Sequence, residues 1–158
     1  MAGWLDSGGM GWRQAVDVPP VWLAGFLWLV WGLGRIWPGE PEGALRWAAV
    51  ALVIAGIVLM AWAVAAFRRH RTSVVPHQTP ERIITSGPFA LSRNPIYLGD
   101  VLVLTGAILW WGAWLALPLI PLFMALLARR FIAPEERRMK ENFGAEFEAF
   151  ARKTRRWL

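Results

Sequence analysis

The chain has no cysteine, a single tyrosine and two histidines in 158 residues. Without cysteine there are neither disulfides nor thiolate metal sites. His70 and His77 are too few for a metal centre without several carboxylate partners, so no metal is expected. Charge is also scarce: 18% of residues are Asp, Glu, Lys or Arg, against about 25% in average proteins. The nucleophile-elbow and P-loop patterns do not occur. The Gly32-Leu33-Gly34 triplet lies inside an apolar stretch with no strand before it, which excludes a dinucleotide loop. Internal repeats and low-complexity tracts are missing too. Met1–Gly11 carries Asp6 but no Lys or Arg, so it lacks the basic region of a signal peptide.

What the chain has instead is apolar surface: 56% of its residues are hydrophobic, and 12 are Trp. That balance belongs to a protein solvated largely by lipid. The net charge of +6 could signal nucleic acid. Here, however, the basic residues flank hydrophobic runs, where they set orientation and meet anionic headgroups. Membrane lipid is therefore the expected partner, and nucleic acid is not.

A membrane span needs about 20 mostly apolar residues. The first candidate covers 18–37, between Pro19-Pro20 and Pro38-Gly39, with Arg35 placed to snorkel. The second covers 47–67, which is 21 residues without a charge. Its Ala51, Ala55, Ala61 and Ala65 at four-residue spacing suggest a close-packing face. Between the two, Pro38–Gly43 (PGEPEG) reads as a tight turn. A third run, Val101–Ala128, has 28 uncharged residues, long for one helix across about 30 Å of hydrocarbon and short for two.

Charge counting decides. Of the 17 Lys and Arg residues, five lie in Arg68–Arg93 and nine in Arg129–Arg156. The positive-inside rule puts both segments on the cytoplasmic side, so an even number of crossings separates them. The run is then a hairpin with helices over 96–111 and 114–132. Trp110, Trp111 and Trp114 mark its far tip, Gly112 supplies the turn, and Pro118 and Pro121 fall just inside the returning helix. Arg68-Arg69-His70-Arg71 reads as a topology determinant opening a cytoplasmic loop over 68–95. In the tail, 133–158, Phe143, Phe147 and Phe150 form an apolar stripe on one helical face. Its basic character suggests a helix lying on the membrane surface. The expected fold is thus one all-α membrane domain, 1–158. It has about four spans, an amphipathic C-terminal helix and both termini cytoplasmic, placed in a bacterial cytoplasmic membrane.

Two polar segments adjoin the hairpin. Pro76–Asp100 is rich in Pro and Gly, so irregular backbone is expected there. Such backbone is tolerated at membrane depth when it packs on protein or lines a cavity. Its plainer reading is a loop ending in an Asn94-Pro95 helix start. Glu135-Glu136 could hold a cationic or hydroxyl-bearing ligand. Equally, they suit the first turn of a new helix after Pro134, with Glu135–Arg138 and Glu136–Lys140 as helical pairs. Asp100 lies one turn into an apolar helix, where an acid is functional by default unless it sits near Arg93 or Arg129. His77 can accept a proton near neutral pH.

These motifs occur in a definite order: a Pro-rich loop, SGPFALSRNPIYLG (86–99), a short hairpin, EERRM (135–139) and FGAEFEAFARKTRRW (143–157). Together they resemble the isoprenylcysteine carboxyl methyltransferase and phospholipid methyltransferase superfamily of membrane enzymes. The resemblance covers roughly Val74–Trp157. It implies S-adenosylmethionine as methyl donor and a lipophilic acceptor, either a prenylcysteine-like carboxylate or a phospholipid amine. It also implies a cofactor pocket at Glu81, Arg82, Ile83, Ile84, Phe89, Asn94, Pro95, Ile96, Tyr97 and Glu135, to which His77 and Gly99 are added as neighbours. Arg130 and Glu136 are the catalytic candidates, and Glu136, His77 and Asp100 are the available bases for an amine or hydroxyl acceptor. The chain departs from the carboxyl methyltransferases at three positions: Asn94 replaces His, Phe89 replaces Tyr, and Phe131 stands where their substrate-binding Arg is. A carboxylate acceptor is thereby weakened. The rival classes are a nicotinamide-dependent membrane reductase and a non-catalytic membrane protein retaining the fold.

Overall fold

The computed structural model describes residues 17–71 and 82–158. Pro19 and Pro20 lack an N–H that a first helical turn does not need, and their fixed φ starts helix α1, Pro19–Ile36. Gly43, at φ +51°, leads into α2, Ala44–Arg69. A single helical turn, α3 (Pro88–Leu91), precedes α4, Pro95–Trp110, which Pro95 opens in the same way.

The uncharged run then reverses at Gly112, whose φ is +59°. A Cβ there would sit 2.5 Å from the Gly39 carbonyl oxygen, so two glycine backbones touch at the tip of the bundle. After a 3₁₀ turn at Trp114–Ala116 come α5 (Leu119–Leu127), a π turn (Ala128–Ile132) and α6 (Ala133–Phe143), one continuous helix. Gly144 (φ +48°) separates this from α7, Ala145–Lys153.

All regular structure among the described residues is helical. Two helices, α2 and the 30-residue Trp114–Phe143, are long and apolar enough to cross a membrane; α4 is a shorter apolar helix. Helix α1 lies in the first expected span, but three Trp, three Gly and Arg35 dilute its 18 residues.

Helix α4 is the centre of the packing. Helices α1 and α2 both lean on it rather than on each other. The α2–α4 crossing is close enough that a Cβ on Gly56 would lie 2.6 Å from the Gly99 carbonyl oxygen. The small residues at this contact are Ala49, Gly56, Ala63 and Ala66. The expected set, Ala51, Ala55, Ala61 and Ala65, is exposed on the opposite side. The error was one of face: small residues occur all round α2, and spacing alone does not say which of them meet a partner.

The chain also departs from expectation beyond Ile132. Pro134 does not open a new helix after a break. Its ring would crowd the Arg130 carbonyl in a regular α-helix, and the wider π turn just before it absorbs that conflict without ending the helix. The tail is two helices, not one. Its Phe stripe faces protein: Phe147 and Phe150 are buried with Ala63, Ala66, Ile84 and Phe89, and Phe143 packs at the edge.

The two arginine-rich segments meet at one end of the bundle. The Arg93 amide donates to the Arg155 carbonyl at 3.0 Å, and the Ser92 hydroxyl and Asn94 amide group donate to the Arg156 carbonyl, each at 3.0 Å. The hairpin puts them together.

Candidate active site

At that same end lies a cavity of about 290 Å³, close to the lower limit of small-molecule sites, about 300 Å³. Four parts of the chain build it. Helix α1 contributes Pro19 and Pro20, and α2 contributes Met60, Val64 and Phe67. The segment Phe89–Asp100 and Glu135 complete the wall.

The polar groups converge from distant points in sequence. The Tyr97 hydroxyl donates to Glu135 Oε2 at 3.1 Å. Tyr97 lies in the first turn of α4, and its ring is stacked on Phe131, 6.3 Å between centroids. Phe67 and Phe89 meet edge to face at 5.1 Å, forming an aromatic corner. Asp100, one turn beyond Tyr97, is 3% exposed, and its Oδ2 has no hydrogen-bond partner among the described residues.

Arg93 enters from the loop. Its Nη2 pairs with Glu136 Oε1 at 3.1 Å, while its buried Nε has no partner among the described residues. Glu136 holds a second cation: Arg156 Nε donates to Glu136 Oε1 at 3.2 Å. That hydrogen bond, with the carboxylate charge, raises the Arg156 guanidinium above its ordinary value against some lowering by desolvation. One carboxylate thus ties the loop to the C-terminal strap.

The cavity gathers Phe89, Asn94, Pro95, Ile96, Tyr97 and Glu135 from the expected set. Several others fall elsewhere. Ile84 is buried in the α2–α7 cluster with Ile83 beside it, and Arg82 is exposed. Gly99 is taken up by the helix crossing, where a Cβ would meet Gly56 and Met60. Glu136 lies behind the wall, paired with two arginines rather than with Lys140, which bridges to Glu148. Arg130 is half-exposed, bridged to Asp17 and lying over the Trp22 ring, away from the cavity. His77 and Glu81 lie outside the described residues.

Arg93, Met60, Val64, Phe67 and the two prolines of α1 were not anticipated. Arg93 had a usable signal, since it adjoins Asn94 inside the distinctive SRNP stretch. The α2 residues had none, because nothing in an apolar run distinguishes a cavity wall from a lipid face.

Fold and site together define a helical membrane-type bundle with a carboxylate-bearing cavity at its basic end. The sequence model of the family described as phospholipid methyltransferase matches residues 44–146, and the chain belongs to that family, within the isoprenylcysteine and phospholipid methyltransferase superfamily. The match spans α2 through the start of α7, and so every cavity-lining element except α1. No curated protein matches the chain, and no solved structure does.

Proposed function

We propose that the protein transfers a methyl group from S-adenosylmethionine to a lipophilic acceptor that reaches the cavity laterally from the bilayer. Membership of a methyltransferase family gives the reaction class. The observation carrying the rest is the Tyr97–Glu135 hydrogen bond. It joins residues far apart in sequence on the wall of one cavity, between the family's two most distinctive motifs.

The donor set fits the cofactor. Carboxylates at Glu135 and Asp100 suit its cationic sulfonium and amino groups. The Arg93 guanidinium on the wall suits its carboxylate, and the Phe67–Phe89 corner with Ile96 suits adenine. When bound, the cofactor supplies an electrophilic methyl group. The chain's own contribution is alignment: a direct displacement gains most from holding two reactants in line. Tyr97 fixes the Glu135 carboxylate, and the apolar faces of Met60, Val64 and Phe67 exclude water and take the acceptor's hydrocarbon. With both basic segments cytoplasmic, the cavity opens at the cytoplasmic face of the membrane, where a soluble cofactor is available.

Calorimetric titration with S-adenosylhomocysteine tests this, with NADPH as the comparison. Binding of the first and not the second is expected. Glu135→Ala should weaken it by roughly 10- to 100-fold, the range for a hydrogen bond to a charged group. No binding to wild type, or an unchanged affinity in Glu135→Ala, sinks the proposal. Tyr97→Phe removes one donor to Glu135 and should cost about 5- to 10-fold in the same titration.

A further inference from the structure

We infer that Arg130 is a positioning residue: with Asp17 and Trp22 it clasps the start of α1 to the π turn and so holds the Pro19-Pro20 wall of the cavity in place. The inference rests on the methyltransferase reading for the ligand of its binding assay. It extends that reading to α1, a cavity wall outside the family match.

Three contacts make the clasp. The Asp17 carboxylate accepts from the Trp22 indole at 3.0 Å and from Arg130 Nε at 2.6 Å. The Arg130 guanidinium in turn lies over the Trp22 ring, 5.5 Å from its centroid. The cation is thus held by a carboxylate and by an aromatic face together, which suits a planar guanidinium better than an ammonium group. Local sequence explains the acid. A carboxylate beside a helix start often meets first-turn N–H groups. Pro19 and Pro20 carry none, so an acid placed there is better used by a partner on another helix.

The other half of the clasp comes from the π turn, whose extra residue offsets the helix after it by about 100° from the helix before it. Within that turn Arg129 is exposed, Arg130 reaches α1, and Phe131 is buried against Tyr97. Tyr97 donates to Glu135, so the clasp and the polar wall of the cavity share one turn of helix. Asp17 stands just before Pro19 and Pro20. The clasp therefore ties two walls together, the prolines of α1 and the Tyr97–Glu135 pair. A second anchor of α1, Phe26 against Phe123 at 4.7 Å, is about two turns further on and leaves the first turn to the clasp. With Arg130 at 51% and Asp17 at 25% side-chain exposure, the pair adds little to global stability. Its effect is on where α1 begins.

The test uses the full chain in detergent. It reads hydrogen exchange at the Val21 and Trp22 amides, which donate to the Val18 carbonyl, and titration with S-adenosylhomocysteine. Arg130→Gln is expected to speed that exchange and to weaken binding, each by about five-fold, the upper end for a partly exposed ion pair. The thermal midpoint should fall by no more than about 4 °C. Asp17→Ala should match it, and the double variant should be no worse than either single one. Arg130→Lys should recover part of both losses. Arg129→Gln, which removes the neighbouring exposed cation, should change neither. Four results overturn the inference: unchanged exchange in Arg130→Gln; additive losses in the double variant; an equal loss in Arg129→Gln; or, in Arg130→Gln, lost methyl transfer from labelled cofactor into a total lipid extract with exchange and binding intact, which would return Arg130 to the chemistry. A wild type that binds no S-adenosylhomocysteine removes the methyltransferase reading, and exchange alone then decides the clasp.

Discussion

Gly56→Leu is expected to destabilise the bundle by about 3 kcal/mol, the upper part of the usual range for overpacking a tight contact. For a chain of this length, that lowers the thermal midpoint in detergent by about 6–12 °C. The Cβ would lie 2.6 Å from the Gly99 carbonyl oxygen, 2.9 Å from Val103 Cγ2 and 3.2 Å from Leu102 Cβ. The nearest atom is backbone, so no side-chain rotation relieves the clash and α2 must move away from α4. Gly99 adjoins Asp100, and Met60 touches the same crossing, so the displacement reaches the cavity wall. Gly25 on α1 is the control, with nothing within 4 Å of its Cβ position. Gly25→Ala should leave the midpoint unchanged or raise it slightly, since alanine favours the helix over glycine. Equal midpoints for Gly56→Leu and wild type would show that the crossing is looser than described.

That contact also marks how far the sequence could be read. The turn at Gly112 was legible because basic residues, five on one flank and nine on the other, pointed to a run that doubles back. The Asn94-Pro95 helix start was legible because proline leaves few conformations open. Packing faces were not. In a soluble helix polar residues identify the solvent side, but α2 is apolar all round, and exposed Ile54, Ile57 and Val58 look like buried residues in sequence. Four-residue spacing singled out Ala51 and Ala55, whereas Ala49 and Gly56, seven residues apart, are the ones buried at the crossing.

The tail shows the complementary limit. Phe143, Phe147 and Phe150 stand at helical spacing, yet periodicity does not say whether lipid or protein covers them. Protein does, through Ile84 and Phe89. For the site, motif order put forward Asn94–Tyr97 and Glu135, which share the cavity wall, while Arg130 and Gly99, put forward with them, do not line it. Glu135 and Glu136 are adjacent in sequence, but helical rotation separates them: the first reaches the cavity and the second turns to the arginines of the loop and strap.

On the proposed reading that separation leaves Glu136 to position the loop and the C-terminal segment, and its replacement has the second large expected effect. Glu136→Leu leaves the Arg93 and Arg156 guanidiniums facing each other without the anion between them. Losing one partner of a fully buried pair costs about 3–5 kcal/mol, and an exposed pair is worth about 0–1 kcal/mol. With Arg93 at 15%, Glu136 at 19% and Arg156 at 39% side-chain exposure, a cost of about 2 kcal/mol lies between those limits. The damage should be local first. The Arg93 amide, which donates to Arg155, should exchange its hydrogen faster. The amide group of Asn94 should lose its hold on the Arg156 carbonyl as the strap lifts. Cofactor affinity then weakens through the displaced loop, with no change in the pH profile of transfer, because Glu136 takes no proton from the acceptor. Adding Arg93→Leu removes the stranded charge, so the double variant should be more stable than the sum of the two single losses predicts. Additive losses, or an altered pH profile in Glu136→Gln, would return Glu136 to the chemistry itself.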